Sequence, residues 1–268
     1  MAYSNWWSWG LPETFVGKRY ARHRIMRTDE ATRASRVLIV DDAPEMVQII
    51  EAAIADGPYE LTTATTGPAA VEIARSFDPD LVILDVGLPG MDGIEVCSEL
   101  RSFTDAYIIM LTGRSEEVDR LIGLTIGADD YMTKPFSARE LALRVKVLLR
   151  RPRGGLRPAS VANGASDDDL VVGQLRIDLL AREVCRGGSP ITLTKTEYDL
   201  LATLAQRPDM VFSRGLLVQA VWGDDWYGDD HMVSVHVANL RKKIDLDGHA
   251  SHVRTVRGVG YRLNPDVA

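Results

Sequence analysis

The side chains best suited to chemistry are three aspartates, a threonine and a lysine that follow apolar segments. Asp41 and Asp42 follow VLIV, Asp85 follows LVIL, Thr112 follows IIML, and Lys134 follows DYMT. Three carboxylates at one place repel each other unless a hard divalent cation lies between them, and Mg²⁺ with several waters suits such a set. A metal, a carboxylate, an ammonium and a hydroxyl together suit phosphoryl transfer. The set predicts Asp85 as nucleophile, Lys134 as counter-cation and Thr112 as the hydroxyl.

The segments that position these side chains alternate between two types. From residue 37 to 150, short apolar runs alternate with amphipathic stretches, which predicts five strands and five helices. This pattern indicates an α/β fold: a five-stranded parallel doubly wound sheet of the flavodoxin-like type, covered on both faces. Such sheets bind ligands at the carboxyl ends of their strands. A single Asp at a strand end is more often a turn or cap residue, so the prediction rests on the joint arrangement.

The C-terminal half has a different pattern, which predicts a separate α+β domain. A stretch rich in Gly, Pro, Ser and Arg precedes it and predicts a flexible linker. Beyond the linker come alternating strands with a Gly-Gly turn, three helical segments, and two short strands around a glycine turn. The predicted domains are an N-terminal extension at 1–36, expected to be poorly ordered, an α/β domain at 37–150, a linker at 151–167 and an α+β domain at 168–266.

Length and composition suit a globular protein with two domains. The chain has 268 residues, 46% hydrophobic and 26% charged, with a net charge of −7. The sequence contains neither an apolar run of about 18 residues nor a secretory signal pattern. It therefore predicts a cytoplasmic protein that does not bind a membrane. Cys97 and Cys185 lie far apart and outside any CxxC pattern, so neither a disulfide framework nor a zinc site is predicted.

The N-terminal extension lacks a packing period, and we expect residues 1–33 to be dispensable. Met26 is a candidate physiological start. An alternative interpretation is that Trp6, Trp7 and Trp9 form a docking motif. A truncation beginning at Met26 would distinguish the two.

The motifs of the first domain, VLIVDDAP, LVILDVGLPGMDG, IIMLTGR and GADDYMTKPF, resemble those of the receiver domain of response regulators. This resemblance implies that Asp85 accepts phosphate from a sensor histidine kinase. It also implies that Thr112 and Tyr131 form a switch pair, in which Thr112 moves to the phosphate and Tyr131 turns inward. The implied Mg²⁺ ligands are Asp41, Asp42, Asp85 and the backbone carbonyl of Gly87.

Two positions depart from the usual receiver pattern. Gly87 stands where a larger side chain is common, which leaves one side of the phosphoryl site open to water. Arg114 places a cation two residues beyond Thr112, although a solvated residue at the start of a helix is the alternative interpretation. The sequence therefore does not determine the lifetime of the phosphoryl group.

Four charged residues are candidates for a dimer interface. Resemblance to the OmpR/PhoB subfamily implies that phosphorylated receivers pair through their fourth helix, fifth strand and fifth helix. The candidate ion pairs between the two copies are Arg120 with Glu140 and Asp130 with Arg144. An exposed pair contributes only about 0–1 kcal/mol, so the pairs would set the geometry while apolar contact supplies the affinity. A solvated surface is the alternative.

The last predicted helix, DDHMVSVHVANLRKKI, has one apolar face at Val233, Val237, Leu240 and Ile244. The segments LTKTEYDLL, VWG, VSVHVANLRKKI and RTVRGVGYRL resemble the OmpR/PhoB winged helix, whose recognition helix enters the major groove of DNA. Six Arg or Lys against two Asp between residues 241 and 262 suit phosphate contacts, with a solvated face as the alternative. The candidate DNA-binding residues are His231, Ser234, Val235, His236, Asn239, Arg241, Lys242, Thr255 and Arg257.

Two features of this domain carry finer expectations. Asn239 can bind the N6 and N7 edge of adenine, although it could equally contact only water or a phosphate. The acidic loop 222–230 is expected to face outward and to contact RNA polymerase rather than DNA, because its carboxylates repel phosphates.

Together the two domains predict a phosphorylation-gated transcription factor rather than a dedicated enzyme. Its expected partners are a sensor histidine kinase, double-stranded DNA at paired half-sites, RNA polymerase and a second copy of the chain. A phosphatase with an aspartate nucleophile usually carries a second Asp two residues later, where Gly87 stands. A DNA-binding protein with a vestigial receiver is the other alternative, but every phosphorylation residue is present.

Overall fold

The computed structural model describes residues 33–113, 126–150, 169–224, 226, 228–246, 248–264 and 267. Residues 1–32 of the predicted N-terminal extension, the predicted linker, Arg114 and Arg120 lie outside the described residues, as does most of the predicted fourth helix. The described end of that extension, residues 33–36, includes the start of the first strand at Ser35.

A five-stranded parallel sheet forms the centre of the N-terminal domain, as the sequence predicts. Its strands are β1 (Ser35–Val40), β2 (Tyr59–Ala64), β3 (Leu81–Asp85), β4 (Tyr107–Thr112) and β5 (Asp130–Thr133), in the order β2-β1-β3-β4-β5. Every residue of β3 and β4 is buried. Strands covered on both faces require such continuous apolar sequence.

Four described helices cover this sheet: α1 (Pro44–Ile54), α2 (Gly67–Phe77), α3 (Gly93–Arg101) and α4 (Ala138–Leu149). Helix α1 packs against α4, and α2 packs against α3. Asp92 caps α3 by accepting the N–H of Glu95 at 2.8 Å. A Cβ atom on Gly93 would collide with the backbone carbonyl of Asp85, so the first turn of α3 packs closely against the end of β3 only with glycine there.

The C-terminal domain begins with a four-stranded antiparallel sheet. Its strands are β6 (Asp169–Val172), β7 (Leu175–Asp178), β8 (Glu183–Arg186) and β9 (Ser189–Ile191). Gly187 and Gly188 both have positive φ angles and form the turn between β8 and β9. The remaining elements are α5 (Lys195–Gln206), α6 (Arg214–Trp222), α7 (His231–Ile244) and a hairpin of β10 (Val253–Val256) and β11 (Gly260–Leu263).

Side-chain caps and an apolar face position the three C-terminal helices. Thr194 and Glu197 form a reciprocal capping box at the start of α5, and Ser213 caps α6. Helix α7 buries Val233, Val237, Leu240 and Ile244 completely, as their spacing predicts. The hairpin is tied to the segment before α6 by a two-way backbone bridge between Phe212 and Tyr261.

Neither cysteine forms a disulfide: Cys97 is buried and Cys185 is half-buried. Burial raises the pKa of the Cys97 thiol to about 11. Among the described helices, none combines the length and the hydropathy of a membrane-spanning segment.

The central position of β3 leads to a stability prediction. Ile83 is fully buried, whereas Ile49 is about half exposed. We expect Ile83→Ala to lower the free energy of unfolding by about 2–5 kcal/mol, because the substitution leaves a cavity. The matched control, Ile49→Ala, should change it by about 0.5 kcal/mol or less. Urea unfolding monitored by circular dichroism measures both, and equal effects would contradict this packing.

Candidate functional site

Three carboxylates meet at the carboxyl ends of β1 and β3. Oxygen atoms of Asp41, Asp42 and Asp85 all lie within 4.8 Å of one another. Asp41 is fully buried, Asp85 is 6% exposed and Asp42 is exposed. The Asp41 carboxylate is fixed on one side by the N–H of Ala43, which donates to its Oδ1 atom at 3.0 Å. The cluster therefore offers hard oxygen ligands with one side open to solvent.

Lys134 balances the negative charge of this cluster. Its Nζ atom lies 2.8 Å from Asp41 Oδ2 and 2.8 Å from Asp85 Oδ1. The two carboxylates raise the pKa of Lys134 and outweigh the opposing effect of burial. The lysine follows β5 directly, and its N–H bonds the carbonyl of Thr112 at 2.6 Å. The ammonium is thus held in place by both neighbouring strands.

The pKa of the Asp85 carboxyl is raised, mainly because burial disfavours its charged form. Hydrogen bonds from Lys134 and from the backbone N–H of Gly87 act in the opposite direction. A Cβ atom on Gly87 would lie 3.4 Å from Asp85 Oδ2, an ordinary contact distance. Gly87 is therefore not required by packing, and the missing side chain leaves space beside the carboxylate.

Thr112 ends β4 next to this cluster. Its Oγ1 atom is buried and has no hydrogen-bond partner among the described residues. Leaving a buried hydroxyl without a partner costs about 1–3 kcal/mol. The hydroxyl is therefore available to a group that binds at the carboxyl ends of the strands.

Tyr131 points away from the carboxylate cluster. Its hydroxyl donates to Asp229 Oδ2 of the C-terminal domain at 3.2 Å. The inward turn of Tyr131 is expected only when Thr112 moves to a phosphoryl group, so the switch stays a prediction. Tyr131 instead connects β5 with the loop before α7.

Two predicted dimer residues pair with each other inside one chain. Arg144 Nη1 bonds both carboxylate oxygens of Asp130, at 2.6 and 2.8 Å, while its other nitrogens bond Glu140. Asp130 is fully buried and Arg144 is 8% exposed. The sequence interpretation assigned Asp130 and Arg144 to an ion pair between two copies. In the structure Asp130 and Arg144 satisfy each other within a single chain.

The prediction that loop 222–230 faces outward is wrong for its tryptophans. Trp222 is 1% exposed and Trp226 is 6% exposed. The Trp226 ring lies 5.5 Å from the Arg144 guanidinium, and its Nε1 donates to Asp130 Oδ2 at 3.5 Å. Burial of the large apolar indole ring of Trp226 outweighs the preference of its acidic neighbours in sequence for water. Asp224, in contrast, is exposed as expected.

Helix α5 forms a second contact between the domains, which the sequence interpretation missed. The Thr196 hydroxyl donates to Asp129 Oδ1 at 2.7 Å, while Arg101 bonds Asp129 Oδ2 at 2.6 Å. Lys195 lies over the Tyr107 ring, 4.6 Å from its centroid. Nothing in the local sequence pattern of these residues indicates the contact, because it joins segments that are far apart in sequence.

The structure buries two of the candidate DNA-binding residues. His236 is 1% exposed and Asn239 is 4% exposed. The His236 ring hydrogen-bonds the backbone of Asp129. The sequence interpretation predicted that both residues contact DNA, whereas in the structure the N-terminal domain covers His236. Together with Met232, these residues form a second buried stripe on α7.

The other candidate DNA-binding residues lie at or near the surface. Ser234 Oγ accepts hydrogen bonds from Arg214 and Tyr261, and Val235 is half-buried. Arg241 donates to the Val253 carbonyl and to the Thr255 hydroxyl, so it ties α7 to the hairpin. Four of the candidates are exposed: His231, Lys242, Thr255 and Arg257.

Comparison with known families covers both domains. Residues 37–146 match the response regulator receiver domain, and residues 188–263 match the C-terminal domain of transcriptional regulatory proteins.

Characterised relatives match across both domains as well. The chain is 40% identical over 235 residues to the DNA-binding response regulator MtrA of Mycolicibacterium smegmatis, covering 87% of this chain and 99% of that protein. It is also 40% identical over 230 residues to the alkaline phosphatase synthesis transcriptional regulatory protein PhoP of Bacillus subtilis, covering 85% and 96%.

Among solved structures, a mutant of RitR has a TM-score of 0.68 and 28% identity, covering 86% of this chain and 99% of that one. These similarities agree with the structure on the same family. The structural features that fit it are the order of the strands, the carboxylate cluster with its lysine, and the C-terminal helices with their hairpin. The chain belongs to the OmpR/PhoB family of two-component, DNA-binding response regulators.

Proposed function

We propose that Asp85 accepts a phosphoryl group from a sensor histidine kinase, and that phosphorylation releases the DNA-binding domain from the receiver. One observation carries the proposal: β5 contacts both sites. Lys134, at the end of β5, bonds Asp85, while Tyr131 on the same strand bonds Asp229 of the DNA-binding domain. A change at the carboxylate cluster therefore reaches the interdomain contact through one short strand.

In the transfer, a carboxylate oxygen of Asp85 forms a bond to phosphorus as the bond from phosphorus to the kinase histidine breaks. The imidazole leaves with the bonding electron pair and takes up a proton. Lys134 is positioned to neutralise a phosphoryl oxygen, and the Thr112 hydroxyl to donate to another. These two residues favour the acyl phosphate once it has formed.

The carboxylate cluster suits Mg²⁺ because its ligands are hard oxygen atoms and its open side leaves room for water. Asp41, Asp42, Asp85 and the carbonyl of Gly87 would hold the ion. Bound there, Mg²⁺ would neutralise charge on the phosphoryl oxygens. The chain is thus a phosphoryl acceptor that assists its own modification rather than a dedicated enzyme.

The structure has the arrangement expected of the unphosphorylated, DNA-free state. The receiver covers His236 on the recognition helix α7, and Trp226 covers the ion pair of Asp130 and Arg144. The same contact withholds part of the DNA-binding surface and part of the predicted dimer surface. Inward rotation of Tyr131 toward Thr112 would remove its bond to Asp229 and weaken this contact.

Release would expose both surfaces to their partners. The face of β5 and α4 would become available to a second receiver, with Asp130, Glu140 and Arg144 at its edge. Helix α7 and the hairpin would become available to DNA, and a dimer would bind paired half-sites. Asp224 lies exposed on loop 222–230 and is available to RNA polymerase.

The role of Asp85 predicts the outcome of a conservative substitution. We expect Asp85→Asn to abolish phosphorylation by acetyl phosphate and Mg²⁺, because an amide cannot act as the nucleophile. The control, Asp56→Asn, removes an exposed carboxylate and should be phosphorylated normally. Intact mass and reaction with hydroxylamine detect the acyl phosphate. Undiminished acyl phosphate on Asp85→Asn would refute the assignment.

The hydrogen bond between Tyr131 and Asp229 is expected to lower the DNA affinity of the unphosphorylated protein. We expect Tyr131→Phe to raise the affinity of the unphosphorylated protein for a DNA site selected with the phosphorylated protein. The expected factor is about 2 to 10, the equivalent of one hydrogen bond. The control, Tyr59→Phe, makes the same change on β2, at the opposite edge of the sheet. Fluorescence anisotropy measures both affinities.

A double-mutant cycle separates this contact from indirect effects. Asp229 also accepts the N–H of His231 at the start of α7, so Asp229→Ala alone is ambiguous. If the two side chains act on each other, Tyr131→Phe will have little further effect in the Asp229→Ala background. Fully additive effects, or an unchanged affinity for Tyr131→Phe, would contradict the proposed release.

A further inference from the structure

His236 is a buried histidine on the DNA-reading helix that faces the receiver. It is 1% exposed, and its ring centroid lies 5.8 Å from that of Trp222. One ring nitrogen donates a hydrogen bond to the backbone carbonyl of Asp129. The Nε2 atom is buried and has no hydrogen-bond partner among the described residues. The ring is therefore in its neutral form, with Nδ1 carrying the proton.

The carboxylates that face His236 are already paired with cations. Three carboxylates face it, each with its own cation on a neighbouring element: Asp129 with Arg101, Asp130 with Arg144, and Glu197 with Lys243. A proton on Nε2 would place a positive charge in a buried position, and the facing carboxylates, each already paired with a cation, would compensate this cost only in part. It would also create a buried N–H donor without an acceptor, which is costly.

We propose that the contact between the receiver and the recognition helix is a proton-sensitive lock, which acid opens because His236 takes up a proton when it leaves the receiver. This inference rests on the proposed function, since it concerns the same contact between the receiver and the DNA-binding domain, which we call the closed contact. It adds a second input, pH, that acts without phosphorylation and through a residue outside the phosphorylation site.

The direction of the effect follows from burial. Burial lowers the pKa of His236 in the closed contact, and the facing carboxylates oppose this only in part. When the contact opens, the ring regains the ordinary histidine pKa of about 6.5. The neutral ring therefore contributes its full stabilisation of the closed form above about pH 6.5, and this stabilisation declines as the pH falls below that value.

Asp130, the fully buried carboxylate of the contact, cannot imitate this effect. Burial raises the pKa of Asp130, so Asp130 binds its proton more readily in the closed form. Its titration would therefore stabilise the closed contact in acid, the opposite direction.

Fluorine NMR of the full-length, unphosphorylated protein tests the inference. With 5-fluorotryptophan incorporated, the Trp226 resonance, assigned with Trp226→Phe, reports whether this indole lies against Arg144 or in water. We expect the ratio of open to closed protein to rise about tenfold between about pH 7.5 and about pH 5.5. The probe is the protein alone, without DNA or phosphodonor.

Two histidine variants isolate the source of the pH dependence. In His236→Gln, which keeps a polar side chain but cannot titrate, the ratio should change less than about twofold over the same range. In His249→Gln, which removes an exposed histidine of the same domain, the tenfold change should remain. Tyr131→Phe should start from a more open baseline and keep the tenfold factor, because it loosens the contact without altering His236.

Each outcome decides the inference. A pH-independent ratio in the wild type, or the same pH dependence in His236→Gln, would overturn it. If the ratio does not depend on pH but acetyl phosphate with Mg²⁺ still opens the contact at about pH 7.5, the proposed function stands while the proton-sensitive lock fails. If neither acid nor phosphorylation moves the Trp226 resonance, both proposals fail. Acid opening that requires His236 would support the lock even if phosphorylation had no effect.

Discussion

The four-residue strand β5 lies between the carboxylate cluster and the contact with the DNA-binding domain. Lys134 follows it and bonds Asp85, whereas Tyr131, three residues earlier, bonds Asp229. Three residues of strand span only about 10 Å. Backbone pairing with β4 fixes the register, so a shift of one end displaces the other. Under the proposed function, a phosphoryl group on Asp85 would act through Lys134 and Thr112 on the segment that contacts the DNA-binding domain.

The closed contact is built from interactions that are individually modest. Thr196 with Asp129, Trp226 with Asp130, and Tyr131 with Asp229 are each one hydrogen bond of about 0.5–1.5 kcal/mol. A contact worth a few kcal/mol in total can be opened by a ligand that distinguishes the two forms. Such a contact suits a protein that has to respond to a small chemical change.

The sequence predicted the sheet and the clustering of the three aspartates with Lys134 because both depend on local pattern. The apolar runs before Asp41, Asp85 and Thr112 can only be buried strands, and parallel strands bring their carboxyl ends to one edge. These features involve residues a few positions apart or strands of one sheet.

The interdomain contact could not be predicted in this way, since it depends on how two folded domains meet. Trp226 lies among acidic residues, a pattern typical of exposed loops, and its burial requires the partner surface at Arg144. One signal was present: Met232, His236 and Asn239 repeat at helical spacing beside the apolar face of α7. This second stripe indicates that the helix has two buried sides, but not what covers the second one.

The central claim is that phosphorylation of Asp85 uncovers the recognition helix. Histidine modification by diethyl pyrocarbonate, followed by mass spectrometry, measures this at constant pH on the intact chain. His236 is buried and His249 is exposed, so His249 serves as an internal reference. The account predicts that His236 reacts slowly in the unphosphorylated protein, and much faster relative to His249 after treatment with acetyl phosphate and Mg²⁺. An unchanged relative rate, in protein shown by mass to be phosphorylated, would contradict it.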